Sequence, residues 1–113
     1  MRGPLTGIRS DVASAFVPLP GHDYRGADLS SADLTNQSFI RYIFSCTSFR
    51  LATLRDTHFL RTELRWADLR GATLRGARVS ACDLRNADLR HTDLRYVHFG
   101  VASDFEGLAW LRS

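Results

Sequence analysis

Asp83-Leu84-Arg85-Asn86-Ala87-Asp88-Leu89-Arg90-His91-Thr92-Asp93-Leu94-Arg95 repeats one five-residue phrase nearly three times: small residue, Asp, Leu, Arg, polar residue. Stepping back in fives from Leu94 meets Leu89, Leu84, Val79, Leu74, Leu69, Leu64, Phe59, Leu54, Phe49, Phe44, Phe39, Leu34, Leu29 and Tyr24. One step forward meets Phe99, and the next reaches Asp104, where the pattern reads as ended. Two places before each central residue stands a mostly small one, with His22, Gln37 and Tyr42 the large exceptions.

A period of five fits neither a helix nor a strand. On a helix, positions five apart advance by about 140° and would smear the large apolar residues around the cylinder. On a plain strand, odd spacing would throw successive leucines onto opposite faces. The rhythm is coherent if the chain turns a corner every five residues and points the same side chain inward each time. That is the mark of a solenoid.

The phrase, A-(D/N)-L-x-x over residues 22–101, resembles the pentapeptide-repeat family. The resemblance implies a right-handed quadrilateral β-helix with four pentapeptides per coil. The central residue and the small one two before it then face inward, and the other three face water. The sequence supports the grouping by four. Sorted by every twentieth position, one wall stacks Leu34, Leu54, Leu74 and Leu94, and another Phe39, Phe59, Val79 and Phe99. The other two stack Tyr24, Phe44, Leu64, Leu84 and Leu29, Phe49, Leu69, Leu89. The expected fold is an all-β solenoid of about four coils, one domain at 113 residues.

Residues 1–21 read as an N-terminal cap segment, with a short helix or turn over Ser10 to Phe16. Residues 17–21 (Val17-Pro18-Leu19-Pro20-Gly21) would lie over the first coil, since prolines block an open sheet edge. Residues 102–113 read as a capping and dimerisation helix. Ser103 and Glu106 form a capping box for a helix from about 104 to 112, which would lay Phe105, Leu108 and Ala109 on the last coil. Trp110 and Leu111 cannot share that face and are assigned to a second subunit, so a homodimer is expected. The resemblance points the same way, since C-terminal helices in the family often join dimers end to end.

The charge balance is fifteen arginines, no lysine and twelve acids, a net +3. No apolar run is long enough to cross a membrane, and the stretch after Met1 lacks a signal-peptide apolar segment. The chain reads as cytoplasmic. Cys82 falls at an inward position and Cys46 at an outward one two coils away, beyond the roughly 7 Å that a disulfide spans. No bridge is expected.

Function must be written on the outward positions. Three walls carry arginines just after the central residue: Arg25, Arg65, Arg85; Arg50, Arg70, Arg90; Arg55, Arg75, Arg95. Just before it they carry acids: Asp23, Glu63, Asp83; Asp28, Asp68, Asp88; Asp33, Asp93. These rows neutralise one another. The fourth wall has no acid. Ser38, His58, Arg78 and His98 stand where the others have Asp, and Ile40, Leu60, Ser80 and Gly100 where they have Arg. Arg41 and Arg61 follow at the corner, with Tyr42 and Ile43 nearby. An apolar strip flanked by Arg and His is the composition of a docking surface. The candidate partner-binding residues are Ile40, Arg41, His58, Leu60, Arg61, Arg78 and His98.

No catalytic arrangement of Ser, His, Asp or Cys emerges, no phosphate loop exists, and Arg78 separates His58 from His98 in their column, so no metal, cofactor or enzymatic activity is expected. The preferred reading is a non-enzymatic protein-interaction module. The resemblance implies an alternative, binding of a type II topoisomerase such as DNA gyrase by imitation of acidic duplex DNA, but this chain is basic. Nucleic-acid binding through the arginine rows is the third reading, and the adjoining carboxylates argue against it.

Overall fold

Every fifth residue from Gly26 to Tyr96 takes the left-handed backbone conformation, with φ between 52° and 77°. In this computed structural model, which describes residues 20–100 and 102–110, those positions are the corners. On three sides the corner closes with a turn hydrogen bond from the small residue back to the central one. Ala27 N–H donates to Tyr24 C=O at 3.0 Å, Ala52 to Phe49 at 2.9 Å and Ala77 to Leu74 at 2.8 Å. A positive φ at the third residue of such a turn is the type II pattern. The chain so bent is a β-solenoid.

Walls form by parallel pairing of residues twenty apart. Strands β1 (Ser38–Ile40), β2 (His58–Leu60), β3 (Arg78–Ser80) and β5 (His98–Phe99) make one four-stranded sheet in the order β1-β2-β3-β5. Its register matches Phe39 to Phe59, Phe59 to Val79 and Val79 to Phe99. The other walls climb by single bridges: Asp23 to Ile43 to Glu63 to Asp83; Asp28 to Ser48 to Asp68 to Asp88; Asp33 to Thr53 to Thr73 to Asp93.

The inward residues fill the tube. Leu29, Leu69 and Leu89 are at most 2% exposed. Aromatic rings occupy the earlier coils, where Phe39 stacks on Phe59 at 5.2 Å and meets Phe44 edge-on at 5.0 Å. Leucines and Val79 fill the later ones. The second inward position admits a hydroxyl because a coil-to-coil acceptor waits for it. Thr47 Oγ1 donates to Tyr24 C=O at 2.6 Å, Thr62 to Phe39 at 2.8 Å and Thr92 to Leu69 at 2.9 Å. Cys82 Sγ does the same to Phe59 at 3.2 Å. A buried polar group without such a partner would cost on the order of 1–3 kcal/mol. Cys82 and Cys46 are both free thiols, buried and exposed respectively, and burial pushes the Cys82 thiol up.

The C-terminal helix is not formed over the described residues. Asp104 instead bridges Asp83, and β6 (Ala109–Trp110) pairs with β4 (Asp88–Leu89). These partners lie twenty-one apart, so one extra residue enters after Phe99 and the five-residue rhythm resumes at Phe105 and Trp110. Ser103, read as a helix cap, accepts the Cys82 N–H at 3.1 Å. Pairing with the previous coil outweighs the local capping signal. At the other end, Pro20–His22 forms a 3-10 turn with Gly21 at φ 68°. The expected helix at 10–16 and the stretch 17–19 lie outside the described residues, as does Leu111.

None of the fifteen corner residues from Gly26 to Tyr96 is β-branched. Branching at Cβ crowds the left-handed conformation most. His91, exposed with φ 61°, tests the constraint. His91→Val should cost about 1–2 kcal/mol in urea denaturation, whereas His91→Gly should cost nothing.

Candidate functional site

The fourth wall differs from the others because of one missing oxygen. On three walls the residue before the central one accepts the backbone N–H two places on. Asp23 Oδ1 takes Arg25 N–H at 3.1 Å, Asp28 takes Ser30 at 3.0 Å and Asp33 takes Thr35 at 3.2 Å. Asp68, Asp83, Asp88 and Asp93 repeat the contact with Arg70, Arg85, Arg90 and Arg95, all at 3.1 Å. This Asx-type closure withdraws that N–H from the ladder. His58, Arg78 and His98 offer no such carboxylate. The freed N–H joins the sheet, as Gly100 N–H does to Val79 C=O at 2.7 Å, and the wall becomes true strand. The acid-free wall is also the one that runs as a four-stranded sheet.

The same carboxylates hold their arginines. Arg70 Nε and Nη2 donate to Asp68 at 2.9 and 2.7 Å, a two-pronged pairing that Arg25, Arg85, Arg90 and Arg95 repeat. Contacts between coils are looser: Arg70 to Asp88 at 3.7 Å and Arg85 to Asp104 at 3.8 Å. Hydrogen bonds from Arg95, first through its side chain and then its backbone, hold the Asp93 carboxyl down to about 2. Arginine partners lower Asp23, Asp68, Asp83 and Asp88 in the same way. Five of the nine row arginines are thus engaged by their own turns, while Arg65 reaches Asp83 of the next coil only at 4.0 Å and, among the described residues, Arg50, Arg55 and Arg75 form no ion pair.

Counted by pentapeptide units over residues 22–101, each of these three walls holds three arginines and three acids. The fourth holds Arg41, Arg61 and Arg78 and no acid. All the excess charge of the coils lies on it, and among the described residues none of those three arginines forms an ion pair. The nearest acids in sequence are Asp56, at the corner before the wall, with its carboxylate folded over Gly76, and Glu63, exposed on the first wall two residues after Arg61.

Most of the residues singled out from the sequence share this surface. Ser38, His58, Arg78 and His98 stand in one column in register, and Ile40, Leu60 and Ser80 in the next. Ile40 is 46% exposed and Leu60 half-buried, while Arg41, Arg61, Arg78 and His98 are exposed and His58 half-buried. Past Leu60 the surface dips into a polar hollow lined by His58, Gly76, Arg78, Ser80, Tyr96 and His98. Tyr96 lies under the Arg75 guanidinium at 5.2 Å from its ring centre. Two expected additions do not belong. Tyr42 is only 5% exposed, packed against His22 with ring centres 4.2 Å apart. Ile43 stands on the first wall, between Asp23 and Glu63.

The C-terminal end is a second surface, which the sequence reading hid behind a helix. Leu89, Leu94, Phe99, Phe105 and Leu108 line an apolar opening of about 400 Å³. Phe99 is 41% exposed there although its position in the repeat is inward. Among the described residues no group of three or more His, Cys, Asp or Glu is placed to hold a metal, and no helix is long and apolar enough to cross a membrane.

The family model for pentapeptide repeats matches residues 38–71, 47–86 and 62–100. No curated protein sequence matches the chain. Among solved structures, alr5209, a pentapeptide repeat protein from Nostoc Pcc 7120, is similar at a TM-score of 0.67 and 25% identity. That match covers 89% of this chain and 91% of the other. QnrB1, a plasmid-mediated fluoroquinolone resistance protein, is similar at a TM-score of 0.54 and 18% identity, which concerns the fold alone. There the match covers 80% of this chain but only 60% of QnrB1.

The lowered aspartates make stability depend on acid. A carboxyl depressed in the folded state contributes above its unfolded value, 3.8, and the contribution is lost as pH falls through the folded value, about 2 for Asp93. Urea midpoints should hold steady above about pH 5 and fall between about pH 4 and 2. Asp93→Asn should shrink that fall.

Proposed function

This chain belongs to the pentapeptide-repeat family, and on that premise we propose that it is a non-enzymatic protein-interaction module whose docking surface is the acid-free fourth wall. The carrying observation is the wall's asymmetry. Three walls balance their charge in sum, three arginines against three acids on each, and the fourth carries three arginines, none in an ion pair among the described residues, and no acid, beside Ile40 and Leu60. Nothing in the solenoid's interior requires that arrangement, because the buried inward residues of the fourth wall are apolar or small, like those of the other three. Ile40, Leu60 and Arg61 would bear on the partner directly, with Arg41, His58, Arg78 and His98 around them. The variant Ile40→Ala, Leu60→Ala, Arg61→Glu should abolish capture of the partner from native lysate while its thermal midpoint stays near that of the parent protein. Unchanged capture would count against the wall.

A type II topoisomerase is the partner that the family resemblance suggests. The charge of this chain opposes that reading, since a mimic of duplex DNA must present acids and here the surplus is cationic. A gyrase supercoiling assay with and without quinolone would restore the topoisomerase if the protein changed drug sensitivity.

The apolar C-terminal opening favours a second contact, between two copies of the chain. Its rim exposes Phe99 and Phe105, which meet edge-on at 5.4 Å, and Leu94 is only partly buried. A homodimer through this end, to which the sequence assigns Trp110 and Leu111, would cover them. Phe105→Glu should lower the molecular mass found by sedimentation equilibrium to that of one chain.

A further inference from the structure

The fourth wall says more about its partner than that one exists. We infer that the occupant is an acidic protein segment, one that sets an aliphatic side chain on Ile40 and Leu60 and carboxylates on either side of it. This rests on the reading of the wall as a docking surface and adds the chemistry of what docks.

Charge complementarity carries the inference. In the parallel sheet the columns run along the solenoid, about 4.8 Å from one rung to the next. Ser38, His58, Arg78 and His98 form the column on one side of the Ile40–Leu60 strip, and Arg41 and Arg61 stand on the other. Three residues of strand separate Arg41 from Ser38 and Arg61 from His58, so the two flanks lie about 10 Å apart across the strip, with Arg78, one rung past His58, the arginine of the far flank. A segment seated between them meets a nonpolar floor, a positive charge on each side, and the polar hollow lined by His58, Arg78, Ser80 and His98 at its far end. The wall supplies no carboxylate to answer a basic partner. Asp56, the acid of the preceding corner, is turned over Gly76.

The same features favour peptide over nucleic acid. A phosphate backbone has no group to set on Ile40, which is 46% exposed. The wall offers no Phe, Tyr or Trp at an outward position for base stacking, only the smaller rings of His58 and His98 two rungs apart, and Tyr96 at its edge already lies under Arg75. Of the longer arginine rows, which a polyanion would need, Arg70, Arg85, Arg90 and Arg95 are engaged by Asp68, Asp83, Asp88 and Asp93.

The test pans a phage library of random dodecapeptides on the full chain at low salt. The peptide that emerges, and the oligonucleotide dT12, are then titrated by fluorescence anisotropy. Two variants serve as controls: Arg41→Gln, Arg61→Gln, Arg78→Gln, and Ile40→Ser, Leu60→Ser. The altered arginines have no ion pairs to lose, so the fold should survive, and thermal midpoints check this. The expected result is enrichment of peptides with several Asp or Glu around an aliphatic residue. Their affinity should fall about tenfold or more in the arginine variant, since surface charge pairs contribute up to about 1 kcal/mol each. It should fall comparably between about 50 and 500 mM salt. Neutral or basic peptides that lose binding in the Ile40→Ser, Leu60→Ser variant would overturn the acidic partner and leave the docking wall standing. Peptides that bind both variants as well as the parent chain, or no enrichment at all, would overturn both. Tighter binding of dT12 than of any peptide would replace the protein segment with a nucleic acid.

Discussion

A left-handed residue at every fifth position is the constraint from which the rest of this structure follows. An L-amino acid with a side chain resists that conformation, yet twelve of the fifteen corners from Gly26 to Tyr96 are occupied by residues other than glycine. The chain tolerates it because each corner returns a central residue to the axis, where burying a Leu or Phe side chain contributes about 1.5–3 kcal/mol. The corner also sets composition. Residues as different as Leu51, Asp56, Arg61 and Trp66 fill it, all unbranched at Cβ, while Thr, Val and Ile are used freely elsewhere in the repeat. What looks like tolerance at the last place of the phrase is a filter on branching.

Within that frame, the residue before the centre decides how each wall is made. An oxygen there takes the N–H two places on, and the wall climbs by single bridges. The fourth wall, which has no carboxylate there on any rung, runs as three-residue strands at Ser38–Ile40, His58–Leu60 and Arg78–Ser80. The aspartate then recruits the arginine two places on, because the guanidinium can reach both carboxylate oxygens from its own turn. Backbone conformation, ion pairing and surface charge are therefore coupled through one side chain, and a wall that gives up the aspartate changes all three together.

Much of this was legible from residues alone. The period of five named the inward set, and sorting by twenty named the walls, because in a solenoid each coil reads only its neighbours. Ile40, Leu60, Arg78 and His98 came out on one surface for that reason. Three things were not legible. Ser103-Asp104-Phe105-Glu106-Gly107 reads equally well as a capped helix start and as another repeat phrase, and a one-residue slip hid the second reading. Tyr42 looked like an exposed neighbour of the docking strip, but it occupies the second inward place. There a ring fits beside Phe39 and Phe44 because the earlier coils are built around aromatics. The aspartate rows read as a solubility lattice, since sequence shows charge alternation but not which amide a carboxylate accepts.

The functional reading gains from how little the fold asks of the fourth wall. Its inward members Phe39, Thr57, Phe59, Ala77 and Val79 are buried like those of the other walls, so its outward members are free of structural duty. If the wall served only to keep the rod in solution, alternating signs would do so with less repulsion, as on the other three sides. Stacked cations in neighbouring rungs repel across a spacing of about 4.8 Å. A chain that pairs an aspartate with the arginine two places on at Arg25, Arg70, Arg85, Arg90 and Arg95 has the means to neutralise the fourth wall. That it leaves Arg41 and Arg61 one rung apart, beside an exposed Ile40, is a standing cost to the free protein, and an anionic occupant is the kind of contact that removes it.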